Sequence, residues 1–361
     1  MEQIYALGVS SIEWVQYWFT DLERYLELVN NLVNPHYVLE ILFPLISIVD
    51  SVFASQLLLC ITFGGWLSGL MKWWLLEDRP YWWVRETTFY SDSMRPWLMQ
   101  TSQTCETGPG SPSGHSLTAA SLFMLFLTWA AHVCNDRKWN MLYWKLVLYP
   151  LGCVTLVSVM VARMYVAAHF PHQCLFGCLL GLFIVPVMCV YVTDPFIWQY
   201  GKYRTMPVKR AVAWHVLYAA LAVLSCVATY CVLTLYGIDP NYTVELAYRR
   251  CADCDKVFIF TTPLYALIKC TGSLAGLALS VTPAVAKYRH YTKNRSTGIS
   301  TFLTGFAIVF LKTLEKKFSK SSDVYYLALF ILNAMTPAIM LRLVPALAMW
   351  PFSSENKPKA K

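Results

Sequence analysis

Charged side chains are scarce in this sequence. Of its 361 residues only 14% are Asp, Glu, Lys or Arg, whereas 57% are hydrophobic, and ordinary soluble domains are about one-quarter charged. This scarcity excludes a soluble globular protein and indicates a membrane protein. The apolar runs leave no room for a separate soluble domain. We therefore expect one multi-pass domain over residues 1–361, with a short cytosolic basic tail at 352–361.

Other missing features narrow the function. The net charge of +8 is spread over many loops, so the sequence offers no concentrated basic patch for nucleic acid. No cluster of carboxylates suits Mg²⁺, and the N-terminus has neither the basic region nor the cleavage site of a signal peptide. We expect no metal, no nucleic-acid partner and no removal of the N-terminus.

Apolar runs of membrane length dominate the chain instead. A spanning helix needs roughly 20 mostly apolar residues, and the sequence predicts about nine of them in an all-α, polytopic membrane helical bundle. The predicted spans lie near residues 33–52, 55–76, 115–134, 142–162, 172–192, 210–236, 260–282, 299–318 and 324–347.

Lysine and arginine in short loops predict the orientation. The basic loops at 193–209 and 285–298 are expected to be cytosolic, together with the C-terminal tail. By alternation, the opposite side takes the acidic N-terminus and the loops at 77–114, 163–171 and 237–259. The basic residues in the loops at 237–259 and 316–323 disagree with this assignment.

Two sequons and one cysteine pair test the same layout. Asn241 lies in a non-cytosolic loop and is predicted to accept a glycan, whereas Asn294 lies in a cytosolic loop and is not. Cys251 and Cys254 form a single C-x-x-C, which is weak evidence for zinc. A local disulfide and two free thiols remain equal alternatives for this pair.

The first cluster of ionisable residues is KWWLLEDRPYWW, which contains Lys72, Arg79 and Pro80. Ionisable residues at membrane depth are costly and indicate functional sites. Lys72 and Arg79 are about two helical turns apart, but the residue before a proline avoids the helical region. We expect the chain to leave the helix at Arg79, so that its guanidinium folds back toward the site that Lys72 faces. The alternative is that both cations reach the lipid headgroups.

The second and third clusters complement the first. Ser113, Gly114 and His115 open an apolar helix, whose free amides form an anion site; an ordinary helix cap is the alternative. Arg163 and His169 would point about 120° apart on one helix, but the His-Phe-Pro-His stretch breaks it so that both can face one site. His172 is interpreted as a loop histidine without a role.

Together these residues predict a metal-free phosphatase that works through a phosphohistidine. Three cations surround the phosphate, backbone amides add donors, and two histidines supply a nucleophile and an acid. In order and spacing, the three blocks resemble the signature of the type 2 phosphatidic acid phosphatase and vanadium haloperoxidase superfamily. CETGPGSPSGH, DRPYWWV and YVAAHFPHQ more narrowly resemble the glucose-6-phosphatase catalytic subunit family.

The resemblance implies a role for each position. His169 would be the nucleophile, and His115 would protonate the departing sugar oxygen and then activate water. The groups that would hold the phosphate are Lys72, Arg79, Arg163 and the amides of Ser113 and Gly114. It also implies hydrolysis of glucose 6-phosphate at the lumenal face of the endoplasmic reticulum membrane, in functional coupling with a glucose-6-phosphate transporter. Membrane lipid surrounds such a protein, and Lys357 and Lys359 resemble a dilysine retrieval signal.

Two positions depart from the superfamily pattern. Ala162 stands where a serine often precedes the arginine of the third block, and Gln173 stands where an acidic residue often orients the nucleophile. The glucose-6-phosphatase branch also has glutamine there, which leaves the group that orients His169 unidentified. Glu106 and Tyr81 are candidates for contact with the sugar, with interfacial packing as the alternative.

Two other functions remain as alternatives. The chain could be a lipid phosphate phosphatase of the same superfamily, although those enzymes have about six spans. It could also be a membrane scaffold with a degenerate site, although every expected catalytic side chain is present.

Overall fold

The computed structural model describes four parts of the chain, namely residues 1–198, 208–280, 296–318 and 323–350. The Asn294 sequon and the basic tail with Lys357 and Lys359 lie outside the described residues. Most of the basic residues of the loops at 193–209 and 285–298 also lie outside them.

Helices make up most of the described residues, and a single isolated bridge between Glu106 and Phe258 is the one β-type pairing among them. The longer helices are Glu2–Trp18, Glu23–Leu32, Phe43–Val49, Ser51–Leu75, Pro80–Glu86, Gly114–Arg137, Met141–Tyr165, Pro171–Met188, Val208–Leu235, Tyr242–Arg250, Pro263–Ser280, Thr297–Glu315, Asp323–Ala338 and Val344–Met349. Wider π-helical turns occupy Val38–Leu42, Cys189–Trp198 and Ile339–Leu343. The predicted all-α class is confirmed.

Each of the nine predicted spans coincides with a helix. Among the described residues, seven helices are long and apolar enough to cross a membrane, and an eighth span results if Thr20–Leu32 and Pro35–Val49 count together. The predicted span at 260–282 is the helix Pro263–Ser280, which is not one of the seven. The polytopic bundle is confirmed, and the seven or eight candidate spans among the described residues are compatible with about nine.

The helix Met141–Tyr165 illustrates how these spans form. The side chain of Asn140 caps its first turn by accepting from the amide of Leu142 at 2.9 Å, which satisfies one of the free donors of a helix start. Large apolar side chains such as Leu146 and Val154 are exposed on its surface. Such an apolar surface is stable in contact with lipid, because lipid tails are as apolar as leucine.

The chain divides into two compact units. The first comprises Met1–Pro35, Gly64–Val185 and Ser225–Leu267. Within it, the helix Met141–Tyr165 packs against Gly114–Arg137 and against the two N-terminal helices. Its core includes the buried aromatic side chains of Trp82 and Phe170. All of the predicted catalytic and phosphate-binding residues belong to this unit.

The second unit comprises the described parts of His36–Phe63, Pro186–Leu224 and the chain from Ile268 onward. Glu40 is the centre of an ion network in it, because its two carboxylate oxygens accept hydrogen bonds from Lys269 and Lys312. Gln56 donates to the hydroxyl of Thr193 at 2.8 Å. The charge of Glu40 is thus paired with two lysines inside an apolar bundle, where an unpaired charge would be costly because the dielectric constant is low.

Candidate active site

The first motif block turns out of its helix as the proline predicts. The helix Ser51–Leu75 ends at Leu75, and Leu76 has a left-handed backbone with φ of 50°. Arg79 is extended, with φ −101° and ψ 152°, and Pro80 is the first residue of the next short helix. The expectation that Arg79 is not helical is confirmed, although the helix ends four residues before it.

The third block contains the predicted break between Arg163 and His169. The helix Met141–Tyr165 stops after Tyr165, and Ala167 has φ of 51°. The next helix starts at Pro171. The amide of Ala168 donates to the carbonyl of Arg163 at 3.2 Å, which folds the short connection back. His169 can therefore reach the cluster that Arg163 enters from the helix.

The second block opens the helix Gly114–Arg137. Ser113 caps it, because its hydroxyl accepts from the amide of Ser116 at 3.5 Å. The amide of Ser113 donates to the carbonyl of Gln173 at 3.1 Å. In this conformation that amide is engaged outside the cluster, so the phosphate-binding role of Ser113 and Gly114 stays a prediction.

Glu106 lies at the centre of the three blocks. Its Oε2 accepts from the guanidinium of Arg79 at 2.7 Å, and its Oε1 accepts from that of Arg163 at 2.6 Å. Nε2 of His169 lies 3.7 Å from Oε2, and Nδ1 of His115 lies 3.8 Å from Oε1. Four predicted site residues from all three blocks therefore surround one carboxylate.

Arg79 joins three segments of the chain. Besides Glu106, it donates to the carbonyl of Gly108 at 2.5 Å, to that of Ala168 at 3.0 Å and to that of Pro109 at 3.3 Å. The same guanidinium lies 3.2 Å from Nε2 of His169. Arg79 is 1% exposed, so a planar group with five donors is almost fully used in a buried place.

Lys72 contacts the same loop from the preceding helix. Its ammonium group donates to the carbonyl of Pro109 at 2.5 Å, and the side chain is buried. Lys72 and Arg79 thus share Pro109 as a partner, as expected if the Arg79 guanidinium folds back toward the site that Lys72 faces. The alternative that both cations extend to lipid headgroups is wrong for this structure.

Two glycines of the CETGPGSPSGH run permit close packing. A Cβ on Gly108 would lie 2.6 Å from the carbonyl oxygen of Thr261, and one on Gly110 would lie 2.5 Å from that of Asp78. Real Cβ atoms do not approach backbone so closely, so glycine is required at both positions. The run is therefore a packed wall of the site and not a free linker.

Gln173 ties the three blocks together instead of orienting the nucleophile. Its side chain accepts from the amide of Phe170 at 3.2 Å and donates to Glu77 at 3.0 Å and to the carbonyl of Asp78 at 2.9 Å. Nδ1 of His169 is buried and has no hydrogen-bond partner among the residues that the structure describes. His169 is therefore positioned through Nε2 and its neighbours on the Arg79 side.

The charges of the site set the protonation of its two central groups. Burial by itself raises the pKa of Glu106, but Arg163 and Arg79 hold that pKa well below its ordinary value, so the carboxylate is ionised. Burial lowers the pKa of His169 well below its usual range, and Arg79 lowers it further. The imidazole is therefore neutral at pH 7, which leaves one ring nitrogen with a free electron pair.

The structure changes the interpretation of two residues that the sequence singled out. Glu106 contacts the arginines, and the Tyr81 hydroxyl donates to the backbone carbonyl of Glu106 at 2.8 Å, so both belong to the phosphate end of the site. Sequence reasoning gave neither of them this place. One signal in the sequence could have indicated this place for Glu106, because it is a carboxylate within a Gly- and Pro-rich run. Two of the predicted phosphate-binding cations, Lys72 and Arg79, precede that run, and the third, Arg163, follows it. His172 lies outside the cluster, where its ring is 3.1 Å from Glu77, and the interpretation of His172 as a residue without a role stays a prediction.

Cations and not carboxylates surround the site. Among the residues that the structure describes, no group of three or more His, Cys, Asp or Glu side chains is arranged to hold a metal ion. The chemistry available to the cluster is anion binding by Arg79, Arg163 and Lys72, with two histidines beside the anion.

Cys251 forms a disulfide with Cys105 and not with Cys254. The Cα atoms of Cys105 and Cys251 are 5.7 Å apart, and 146 positions separate them in the sequence. Cys254 is a free, exposed thiol. Both alternatives for the C-x-x-C pair, a local disulfide and two free thiols, are therefore wrong. The actual bond anchors the residue directly before Glu106.

Replacing Cys251 with serine is expected to destabilise the first unit. The disulfide closes a long loop, and removing such a bond costs about 2–4 kcal/mol in unfolding free energy. Thermal unfolding of the purified protein, followed by tryptophan fluorescence, measures the effect. Cys254→Ser is the matched control and should leave the unfolding temperature unchanged. Equal unfolding temperatures for Cys251→Ser and the unchanged protein would contradict the prediction.

The comparisons with known proteins agree with the geometry. The family model of the PAP2 superfamily matches residues 53–197. The chain is 28% identical over 365 residues to "Glucose-6-phosphatase catalytic subunit 1" of Bos taurus, which covers 99% of this chain and 98% of the relative. It is 30% identical over 287 residues to "Glucose-6-phosphatase 2" of Homo sapiens, which covers 78% and 77%. No solved structure matches the chain.

The superfamily match at 53–197 contains all three motif blocks, from Lys72 to His169. A helical bundle with this cationic cluster defines the class as a multi-pass membrane phosphatase of the PAP2 superfamily. The similarity to the bovine and human relatives runs over most of the chain. Within the superfamily, the chain belongs to the glucose-6-phosphatase family, which confirms the resemblance that the motifs indicate.

Proposed function

We propose that the protein hydrolyses glucose 6-phosphate to glucose and phosphate through a phosphohistidine, at the lumenal face of the endoplasmic reticulum membrane. The observation that carries the proposal is the convergence of Arg79, Arg163, His169 and His115 on one anionic group within 3.8 Å. The names of the relatives, which are glucose-6-phosphatases, support the choice of substrate.

The arginines hold the phosphate. A guanidinium presents paired donors that match phosphate oxygens, and Arg79 and Arg163 approach their common anion from different segments. Lys72, which lies beside Arg79 on the carbonyl of Pro109, adds a third positive charge. Fixed cations stabilise the charge that develops on the oxygens of the transferred phosphoryl group.

The first chemical step forms the phosphohistidine. Nε2 of His169 faces the anion site and lies 3.2 Å from Arg79, so a neutral ring can offer its electron pair to phosphorus. As the nitrogen–phosphorus bond forms, the bond from phosphorus to the sugar oxygen breaks. His115 donates a proton to that oxygen, and glucose leaves as an alcohol.

The second step returns the enzyme to its starting state. His115, now without its proton, takes one from a water molecule, and the water oxygen attacks phosphorus. The nitrogen–phosphorus bond breaks, which regenerates His169 and releases inorganic phosphate. His115 thus serves as acid and then as base.

The location and partners follow from the same proposal. The loops that carry the site, at 77–114 and 163–171, belong to the predicted non-cytosolic side. A lumenal site needs its substrate delivered across the membrane, which agrees with functional coupling to a glucose-6-phosphate transporter. Asn241 directly precedes the helix Tyr242–Arg250 in another loop of that side, and we retain it as the proposed glycosylation position of a lumenal loop.

Assays of the purified full-length protein on glucose 6-phosphate and on phosphatidic acid test the substrate. We expect kcat/KM for the sugar phosphate to exceed that for the lipid by on the order of 10² or more, because the proposed glucose site would hydrogen-bond the sugar hydroxyls, and such a site rejects substrates that lack them. The expected rate on glucose 6-phosphate is the same with and without EDTA, because arginine and lysine supply the positive charge.

A preference for phosphatidic acid would identify a lipid phosphate phosphatase and overturn the proposed substrate. Hydrolysis that EDTA abolishes and Mg²⁺ restores would overturn the metal-free mechanism. Glucose 6-phosphate with its phosphate replaced by sulfate serves as the control for nonspecific binding, since it cannot yield phosphate.

A further inference from the structure

The two arginines of the site are already bound to an anion of the protein itself. One oxygen of the Glu106 carboxylate accepts a hydrogen bond from Arg79, and the other accepts one from Arg163. Glu106 is 7% exposed, and within the described residues it is the one carboxylate within salt-bridge distance of either guanidinium. The two histidines lie at opposite oxygens of this carboxylate, His169 beside Oε2 and His115 beside Oε1.

The backbone of Glu106 is fixed on several sides. Its carbonyl accepts from the Tyr81 hydroxyl at 2.8 Å, and its amide donates to Thr104 at 2.8 Å. Cys105, the preceding residue, is held by the disulfide to Cys251 and by a 2.9 Å hydrogen bond from the amide of Phe258 to its carbonyl. Any movement of the carboxylate must therefore be a rotation of the side chain and not a shift of the loop.

A carboxylate resembles part of a phosphate group. Both present planar or near-planar pairs of oxygens to a guanidinium, and both form charge-assisted bonds to it. A phosphate monoester held by Arg79 and Arg163 needs the donors that Glu106 now occupies. Two anions in one buried place repel each other strongly, so the carboxylate and the phosphate cannot share these donors.

We propose that Glu106 is a specificity-determining residue that occupies the phosphate position as an internal substitute for the substrate. It keeps both arginines paired and aligned between turnovers, and the phosphate must displace its side chain in order to bind. An anion with less charge or fewer oxygens than phosphate competes poorly against it. This inference rests on the proposed function for the identity of the anion site, and it deepens that function by naming what the substrate must replace.

Binding of inorganic phosphate to the full-length protein in detergent tests the proposal, with isothermal calorimetry as the readout. In Glu106→Gln the side chain keeps its size but loses its charge. The dissociation constant for phosphate is expected to fall at least about tenfold. The reason is that no internal carboxylate then competes for the two arginines, so that a larger fraction of the protein molecules has a site open to phosphate. A constant equal to or higher than that of the unchanged protein would overturn the proposal.

Glu86→Gln is the matched control. It removes the same charge from the same unit, but Glu86 pairs with Arg250 at 2.6 Å and contacts no residue of the site. Its phosphate dissociation constant should stay within twofold of the unchanged protein. A gain equal to that of Glu106→Gln would mean that general charge, and not displacement, controls binding, and would also overturn the proposal.

A second measurement needs no variant, in case Glu106→Gln fails to fold. A structure of the unchanged protein with bound phosphate is expected to show the Glu106 carboxylate away from both arginines and phosphate oxygens in its place. Retention of both Glu106 bonds beside a bound phosphate would refute the displacement. Neither measurement uses glucose 6-phosphate, so a wrong substrate assignment would appear only in the hydrolysis assay and not here.

Discussion

Replacing His169 with alanine is expected to abolish hydrolysis, with kcat lowered by on the order of 10⁴ or more, as for the loss of other covalent nucleophiles. The reason is that Nε2 of His169 is the ring nitrogen beside the anion site, 3.2 Å from Arg79 and 3.7 Å from Glu106. Two measurements check the result, namely the release of phosphate and the trapping of radiolabelled phosphate on enzyme quenched in alkaline detergent, where the phosphorus–nitrogen bond of phosphohistidine is stable.

Two other histidines provide the controls for this experiment. His172→Ala should retain activity within a few-fold, because that ring lies beside Glu77 and outside the cluster. His115→Ala should form the labelled phosphoenzyme slowly, because the nucleophile is intact but the departing sugar oxygen lacks its acid, and should hydrolyse the label slowly, because the base for water is missing. If His169→Ala kept wild-type turnover, the assignment of the nucleophile would be wrong.

Changing Arg79 to lysine is expected to lower kcat/KM by on the order of 10² to 10³, the effect of losing one strong transition-state donor. Lysine keeps the positive charge but not the planar fork that reaches Glu106, Gly108 and Ala168 together. Steady-state kinetics on glucose 6-phosphate measure the loss. If Arg79→Lys had wild-type kinetics, Arg79 would contribute only its charge, and this prediction would be wrong.

The matched control for that change is Arg85→Lys. Arg85 belongs to the helix Pro80–Glu86 that follows Arg79, and its guanidinium stacks over the Trp97 ring at 4.2 Å. The same substitution there should change kcat/KM by less than twofold. The unfolding temperature of Arg79→Lys should be measured in parallel, because Arg79 also fixes the loop that contains Gly108.

Much of the site was predictable because local rules decide it. Pro80 keeps Arg79 out of the helix, and the break before Pro171 lets His169 turn toward Arg163. Ser113 caps the helix that Gly114 starts. Each of these depends on the sterics or the hydrogen bonds of neighbouring residues, which the sequence displays directly.

The less predictable features join residues that are far apart in the chain. Glu106 reaches Arg79, 27 positions away, and Arg163, 57 positions away. Gln173 joins the first and third blocks at 95 positions from Asp78. For the same reason, the C-x-x-C spacing suggested a local partner for Cys251, whereas the bond is made to Cys105.

The sequence by itself determined the membrane class, the helical bundle, the three motif blocks and the breaks that free their cations and histidines. These follow from apolar run length, proline sterics and residue chemistry, all of which act over a few neighbours. Only the tertiary structure decided that Glu106 lies between Arg79 and Arg163 and that Cys105 pairs with Cys251. Such contacts depend on how distant helices and loops pack, and packing brings together residues whose separation in the chain gives no sign of it.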